Sequence, residues 1–373
     1  MTFNIKYYLY FFIIFILSCN KNIKKELLLY NAEKHFKSIK QLTFDGNNAE
    51  GYFSFDDQSI IFQSDSQLLQ KRFGIQKERY CDQIFTIDIQ NLDFNNPTQE
   101  FSYRLVSTGK GRTTCSFFLP DNRIIYASTH HNSEECPESF RFYQNRYVWQ
   151  LFDYDIYLAN QDGSNLKVLV SSPGYDAEAV ISPDGKYMVY TSTKSGDLEL
   201  WRYDLQTGEE LQLTNELGYD GGAFFSQDSK KIVWRASRPR TIEEIQTYKD
   251  LLRKKLVQPT NLNIFVMDID GKNKKQITHL PGANWAPYFH PNGYQILFSS
   301  NHHTLNYGGR VFNIFMINID GTNLEQITFG DEFEAFPFFS YHQHKGHYWF
   351  LFSSNRKNQK PHDTNLFIAK WVD

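Results

Sequence analysis

The chain has 373 residues, of which 41% are hydrophobic and 17% aromatic, with a formal net charge of −3 at pH 7. A net charge of this sign does not favour binding to nucleic acid or to anionic membrane surfaces. The mean hydropathy of −0.52 excludes a polytopic membrane protein. A chain of this length can form one large domain if the domain is built from repeats.

The N-terminus has the pattern of an export signal. Lys6 precedes an apolar run over residues 7–17, which is too short to span a bilayer as a mature helix. A small residue and then Cys19 follow, and this arrangement resembles a bacterial lipobox, in which the cysteine is lipidated. We therefore predict a lipoprotein signal peptide at 1–18 and a lipidated tether at 19–38. The alternative is an ordinary signal peptide, or a retained anchor, with an incidental cysteine.

Beyond the tether, the chain repeats one unit six times. Each unit has an apolar strand, a tight turn of the Ser182-Pro183-Asp184-Gly185 kind, and a second apolar strand. Pro, Asp and Gly at such positions are typical of a turn between two antiparallel strands. The six turns occupy residues 54–57, 119–122, 182–185, 226–229, 290–293 and 340–343, and the last copy has lost the motif.

A third and a fourth strand complete the unit. The third strands alternate apolar residues as half-buried strands do, and three units continue through an Asp-Gly turn into a fourth strand. The second strands contain residues 60–62, 124–126, 188–190, 232–234, 296–298 and 350–352. The third strands contain residues 83–87, 155–158, 198–201, 263–266, 313–316 and 365–368. Four strands in each of six units predict an all-β fold, a six-bladed β-propeller of four-stranded blades.

The ends of the chain indicate how the ring closes. The chain ends soon after the third strand of the sixth unit, at residues 371–373. The missing fourth strand is present at the other end, as residues 40–43. We therefore predict that the N-terminal strand completes the last blade, which would otherwise expose a strand edge.

These repeats resemble the TolB-type β-propeller, a WD-like family of periplasmic and secreted proteins. The resemblance covers residues 39–373, and the segments 108–115, 173–178 and 217–222 resemble a bacterial subgroup of TolB-like proteins. Propellers of this type include a peptide-binding translocation protein, regulatory caps on serine peptidases and sugar-acid lyases. The resemblance therefore implies a fold and no single activity.

The entry of each first strand is the predicted ligand site, at the mouth of the central channel. Alignment on the turns places six polar residues at one equivalent position: Asn48, Thr113, Asp176, Asp220, Asn284 and Glu334. Two residues later come Glu50, Cys115, Glu178, Gly222, Ala286 and Phe336. The carboxylates among them would suit a cationic or polyhydroxylated ligand. The alternative is that channel mouths are polar in any case.

The loops after the second strands add histidines and arginines to the same face. His130 in blade two and His302 in blade five occupy matching positions, and blade four offers Arg235. Histidine near acidic residues could bind a divalent metal, although the two positions lie across the channel from each other. We predict no cofactor. Two roles remain open for His130 and His302. They either form hydrogen bonds at the rim of the channel or bind a metal ion.

The cysteines allow one disulfide in an oxidising envelope once Cys19 carries lipid. Cys81 and Cys136 lie on the same face in adjacent blades, so we predict that they pair. Cys115 is then a thiol of the channel wall or a small buried hydrophobic residue.

Two insertions lie on that face as well. Residues 131–153 are rich in aromatic residues, and residues 241–257 have the pattern of a helix, with Thr241 and Glu244 forming a capping box. Both segments either pack over blade edges or wall a ligand cleft.

Three functions are compatible with this sequence. We favour a monomeric cell-envelope lipoprotein that binds an envelope protein, a peptide or a glycan at the channel mouth, contacts the membrane only through its lipid, and faces the periplasm or the cell surface. The alternatives are a metal-assisted polysaccharide lyase or hydrolase, and an accessory propeller of a separate peptidase. The sequence contains no Gly-x-Ser-x-Gly motif and no Gly-rich phosphate loop, which argues against a self-contained serine peptidase and against a nucleotide-binding enzyme.

Overall fold

The computed structural model describes residues 28–331, 333–357, 360 and 363–373. The predicted signal peptide and Cys19 lie outside the described residues. Within the described part, no helix has the length and apolar character needed to cross a membrane.

Six four-stranded antiparallel sheets form the blades, each running from an inner strand at the axis to an outer strand. Blade 1 contains Asn48–Phe53, Ser59–Ser64, Gln83–Asp88 and Tyr103–Leu105. Blade 2 contains Thr113–Phe118, Ile124–Ser128, Asp155–Ala159 and Lys167–Val170. Blade 3 contains Asp176–Ile181, Tyr187–Ser192, Glu199–Asp204 and Glu210–Gln212. Blade 4 contains Asp220–Phe225, Lys231–Ala236, Asn263–Asp268 and Lys275–Gln276. Blade 5 contains Asn284–Phe289, Gln295–Ser300, Asn313–Asn318 and Glu325–Gln326. Blade 6 contains Glu334–His344, His347–Ser354, Asn365–Trp371 and Phe36–Gln41.

Few other elements occur in the described residues. The helices are α1 (Gln67–Arg72) and α2 (Ile242–Leu252), with a 3-10 helix at His302–Tyr307. Two short strand pairs join Phe142–Tyr143 to Arg146–Tyr147 and Trp149–Gln150 to Leu256–Val257. The all-β, six-bladed propeller predicted from the repeats is confirmed.

The second strand of each blade is largely buried because the neighbouring blades cover both of its faces. In blade 1, Ile60, Ile61 and Phe62 are all 0% exposed, which explains why such segments appear in the sequence as unbroken apolar runs. Each inner strand contacts the next around the ring, and the inner strand of blade 6 contacts that of blade 1.

The ring closes as predicted, through the N-terminal strand. Phe36–Gln41 pairs antiparallel with Asn365–Trp371, and Leu42 extends the pairing by donating its N–H to the carbonyl of Leu366 over 2.8 Å. Leu42 is 0% exposed, so burial of apolar surface adds to the hydrogen bonds. The closing strand therefore covers the edge that Asn365–Trp371 would otherwise expose.

A buried ion network holds the segment that leads into this closing strand. Arg356, in the loop after the second strand of blade 6, donates from Nη2 to Glu33 Oε1 over 2.7 Å and from Nε to Glu334 Oε1 over 2.9 Å. All three side chains are at most 1% exposed. Charges buried this deeply require partners, so the network fixes Glu33 against blade 6.

The hairpin of blade 6 differs from the prediction. The expected turn at 340–343 lies inside the long strand Glu334–His344, and the chain reverses at Lys345 and Gly346, with φ angles of +53° and +82°. Two positive φ angles in succession suit a two-residue hairpin. The strand continues because Asp57 of blade 1 accepts hydrogen bonds from the backbone of Tyr341 and His342 over 2.8 Å each.

Candidate functional site

Large apolar side chains close the channel at mid-depth. The fifth residue of each inner strand points to the axis. We call these six residues the aromatic plug, since five of them are aromatic and only Val180 is not: Tyr52, Phe117, Val180, Phe224, Tyr288 and Phe338. Tyr52 meets Phe224 across the axis at 5.4 Å between ring centroids, and Tyr288 meets Phe338 at 4.3 Å. None of the six is more than 9% exposed, so the plug separates the two faces of the propeller.

A bulge repeats above the plug in every blade. The third residue of each inner strand has a φ between +48° and +58°, and the pairing with the second strand shifts register there in all six blades. The bulge residues are Glu50, Cys115, Glu178, Gly222, Ala286 and Phe336. A left-handed backbone conformation costs a residue other than glycine about 1 kcal/mol or more. In return, the bulge changes the direction in which the side chain points.

All six bulge residues line one cavity of about 530 Å³ on the plug. Its walls also include Tyr154, Tyr175, Tyr219 and Trp285. The cavity is therefore bounded by the plug below and by aromatic rings at its sides.

The two insertions form a roof over this cavity, which we define as residues 136–152 with 256–257. Trp149 pairs with Val257 across the short strand pair, and both residues line the cavity. Helix α2 begins at Thr241, where the side chains of Thr241 and Glu244 form the reciprocal capping box indicated by the sequence. The insertions thus wall a cleft as well as pack on each other.

A disulfide ties the roof to blade 1. Cys81 and Cys136 are joined, with their Cα atoms 5.8 Å apart, and both line the cavity. The roof is therefore covalently attached to blade 1 at one end and paired with the blade 4 insertion at the other.

The most strongly held charges in the cavity are Glu178 and Arg235, whose side chains are 10% and 8% exposed. Arg235 Nη2 donates to Glu178 Oε1 and to the Tyr219 hydroxyl. Glu178 Oε1 also accepts from the Tyr219 hydroxyl over 2.9 Å, and Oε2 accepts from Thr191 Oγ1 over 2.7 Å and from the Gly222 N–H over 2.8 Å. Each oxygen of Glu178 has two donors, so this carboxylate is fully committed within the protein.

Glycine at the blade 4 bulge makes room for this pair. A Cβ on Gly222 would lie 1.7 Å from Nη1 of Arg235, and a Cβ on Gly221 would lie 2.4 Å from Oε2 of Glu178. The Gly221-Gly222 pair therefore lets Arg235 reach the cavity from the second strand of its blade.

Glu50 is the cavity carboxyl group with the least compensation. Burial raises its pKa to about 7, against the opposing effects of a hydrogen bond from Cys115 and the charge of Arg235. Burial also raises the pKa of the Cys115 thiol, which is the free cysteine of the described part. A carboxyl group and a thiol, both with a raised pKa, thus share the wall between blades 1 and 2.

The structure brings only some of the predicted residues together. Glu50, Glu178 and Arg235 line the cavity. The six equivalent polar residues at the strand entries do not, because they are at most 1% exposed and form hydrogen bonds within their own blade or to the preceding one: Asn48, Thr113, Asp176, Asp220, Asn284 and Glu334. Asn48 accepts from Ser64 Oγ over 2.8 Å, and Asn284 accepts from Ser300 Oγ over 2.6 Å.

The predicted histidines lie beside the third strands of their blades. His130 shares a hydrogen bond of 2.7 Å with Ser128 Oγ and packs on Tyr157, while His302 shares one of 2.8 Å with Ser300 Oγ and packs on Phe315. Neither ring lines the cavity. Among the residues that the structure describes, no three His, Cys, Asp or Glu side chains are grouped to hold a metal ion.

Sequence reasoning missed the aromatic residues that the blades contribute to the cavity wall, although it gave a cleft wall as one interpretation of the aromatic segment 131–153, which contains Trp149. Tyr175 and Tyr219 each precede an inner strand within a repeated Gly-Tyr-Asp motif, which was the available signal for them. Trp285, by contrast, carries no such repeat.

Comparison with known proteins agrees with the fold. No family model matches the chain. Over 126 residues the chain is 30% identical to the Tol-Pal system protein TolB of Francisella tularensis, which covers 34% of this chain and 25% of that protein. The chain therefore spans about a quarter of the length of these curated relatives. An uncharacterized protein of Agrobacterium fabrum is 24% identical over 119 residues, 32% of this chain and 34% of that protein.

Among solved structures, TolB from Acinetobacter baumannii superimposes with a TM-score of 0.53 at 17% identity, covering 79% of this chain and 57% of that one. At this identity the likeness concerns the fold alone. The chain has a TolB-like six-bladed β-propeller.

Proposed function

We propose that this TolB-like propeller is a binding module of the bacterial cell envelope and that its ligand occupies the roofed cavity. The observation that carries the proposal is the cavity itself: about 530 Å³, closed below by the plug and lined by aromatic rings and a few charged groups. Concave sites of this size and lining are typical of ligand pockets.

The chemistry of the cavity supports binding more than catalysis. Each carboxylate oxygen of Glu178 already accepts two hydrogen bonds from the protein. The raised pKa of Cys115 keeps its thiol neutral and weakly nucleophilic. The histidines of the alternative metal-assisted mechanism lie outside the cavity.

A cavity-filling variant tests the proposal. Phe336 occupies the bulge of blade 6 at a φ of +58°, so Ala286→Phe at a φ of +48° places a ring on the same backbone conformation. We expect Ala286→Phe to retain the wild-type melting temperature within a few degrees and to lose the molecules that co-purify with the protein from envelope extracts, as measured by mass spectrometry.

The matched control is Tyr307→Ala, because Tyr307 is 89% exposed and outside the cavity. This control should retain the same molecules as the wild type. Equal retention by all three proteins would contradict a ligand site in the cavity.

The envelope location rests on the N-terminal sequence and on the resemblance to TolB-type proteins. We propose that Cys19 carries lipid and tethers the propeller to a membrane. The variant Cys19→Ser is then expected to appear in the soluble fraction of lysed cells, whereas the wild type sediments with membranes and leaves them only in detergent. Unchanged sedimentation of the variant would refute the anchor. The variant Cys115→Ser is the control, since its thiol belongs to the cavity.

A further inference from the structure

We propose that the cavity receives an organic cation, the ammonium or guanidinium group of a basic peptide side chain, and that Glu50 is its counter-ion. This inference rests on the proposed binding function and specifies the ligand chemistry at the same site.

Two of the carboxylates that line the cavity have a cationic partner. Glu178 is paired with Arg235, and Asp82 is paired with Arg112 over 2.9 Å. In the described part of the chain, no cationic side chain forms an ion pair with Glu50.

The other charged side chains of the lining are also engaged or lie at the rim. Asp65 accepts two hydrogen bonds from Asn47, and Arg79 pairs with Glu138 over 3.4 Å. Arg141 is an exposed residue of the roof. Glu50 and Asp65 are thus the carboxyl groups of the lining that form no ion pair in the described part of the chain, and Asp65 already accepts two hydrogen bonds from Asn47. A cation that entered the cavity would therefore find Glu50 as the carboxyl group with the fewest partners.

The walls suit a cation as well. Aromatic faces attract ammonium and guanidinium groups, and the effect grows when water is excluded. The cavity already holds one cation in this way: the guanidinium carbon of Arg235 lies 5.4 Å from the Trp149 ring centre and 5.3 Å from that of Tyr219. Tyr52, which interacts electrostatically with Glu50, and Trp285 also line the cavity.

The protonation of Glu50 makes the inference testable by pH. Its pKa of about 7 reflects burial, and the groups that face it are Cys115, Glu178, Arg235 and Asp82. A bound cation favours the ionised carboxylate, so binding must lower this pKa and release a proton near pH 7. Affinity should rise about tenfold per pH unit below pH 7 and level off above it.

The experiment is isothermal titration calorimetry of the mature protein with two matched probes, N-acetyl-lysinamide and its uncharged analogue N-acetyl-norleucinamide. We expect the lysine probe to bind with a Kd of about 1 mM and the analogue to bind about tenfold more weakly or not at all. Titrations at pH 7 in buffers of different ionisation enthalpy should reveal proton release. Equal binding of the two probes would overturn the inference, and so would the absence of proton release.

The variant Glu50→Gln should weaken lysine-probe binding about tenfold or more and remove its pH dependence. The exposed Glu209→Gln is the control and should leave both unchanged. Unaltered binding by Glu50→Gln would also overturn the inference. If Glu50→Gln does not fold, the proton-release measurement on the wild type still decides.

The probe titrations and the Ala286→Phe variant distinguish a wrong ligand class from a wrong binding site. If neither probe binds but Ala286→Phe still loses the envelope ligand, the cavity binds something other than a cation. If Ala286→Phe retains everything that the wild type retains, the proposed function fails as well.

Discussion

Replacing Arg356 by alanine is expected to destabilise the protein by about 3–5 kcal/mol, because it leaves two buried carboxylates without a positive partner. Glu33 and Glu334 are at most 1% exposed and both receive hydrogen bonds from Arg356. Their mutual repulsion should also detach the segment before the closing strand. Urea denaturation followed by tryptophan fluorescence measures the loss in the free energy of unfolding.

A surface arginine provides the matched control. Arg253 is 69% exposed and pairs with Asp250 on the same helix, so Arg253→Ala should cost less than about 1 kcal/mol. Adding Glu33→Gln to Arg356→Ala should recover part of the lost stability, since one buried charge is removed. A loss for Arg356→Ala no greater than that for Arg253→Ala would show that the network does not stabilise the closure.

Replacing Arg235 by alanine is expected to cost a similar amount, about 3–5 kcal/mol, by leaving the Glu178 charge buried and unpaired. The variant also removes the guanidinium from the Trp149 ring, which belongs to the roof. We therefore expect the roof to loosen in addition to the loss of stability. Thermal denaturation gives the first effect, and hydrogen exchange of residues 147–151 gives the second.

The paired replacement distinguishes charge from packing. In Arg235→Met with Glu178→Gln no buried charge is left alone, so the double variant should be more stable than Arg235→Ala. If the double variant is as unstable as the single one, packing rather than charge determines the stability of this site.

The repeats predicted the fold well because each blade buries its own apolar strands in the same way. The pairing of the N-terminal strand with the last blade followed from counting strands, since one fourth strand was missing at one end and present at the other. The sixth hairpin was misplaced because the contact that prolongs its first strand comes from Asp57, which lies in another blade.

The candidate site was predicted less well, and the bulge explains why. In a regular strand, residues two apart point to the same side, so Asn48 and Glu50 would share a face. The positive φ of Glu50 breaks this alternation, and only Glu50 reaches the cavity. The same holds for Asp176 and Glu178. A Glu or Cys residue in the sequence does not indicate a left-handed backbone, so the bulges could not be predicted. The roof could not be predicted either, because it depends on a strand pair between residues about 100 positions apart.

In the part of the chain that the structure describes, the aromatic plug closes the cavity on the side that faces away from the roof. A polymer cannot be threaded along the axis, because side chains from opposite and from non-neighbouring blades meet there. A chain-like ligand of the kind proposed would therefore be held by one end, or by a side chain that projects from it, while the rest stayed outside the roof. Such a ligand would enter and leave on the face covered by the roof, which the disulfide and the strand pair attach at two points.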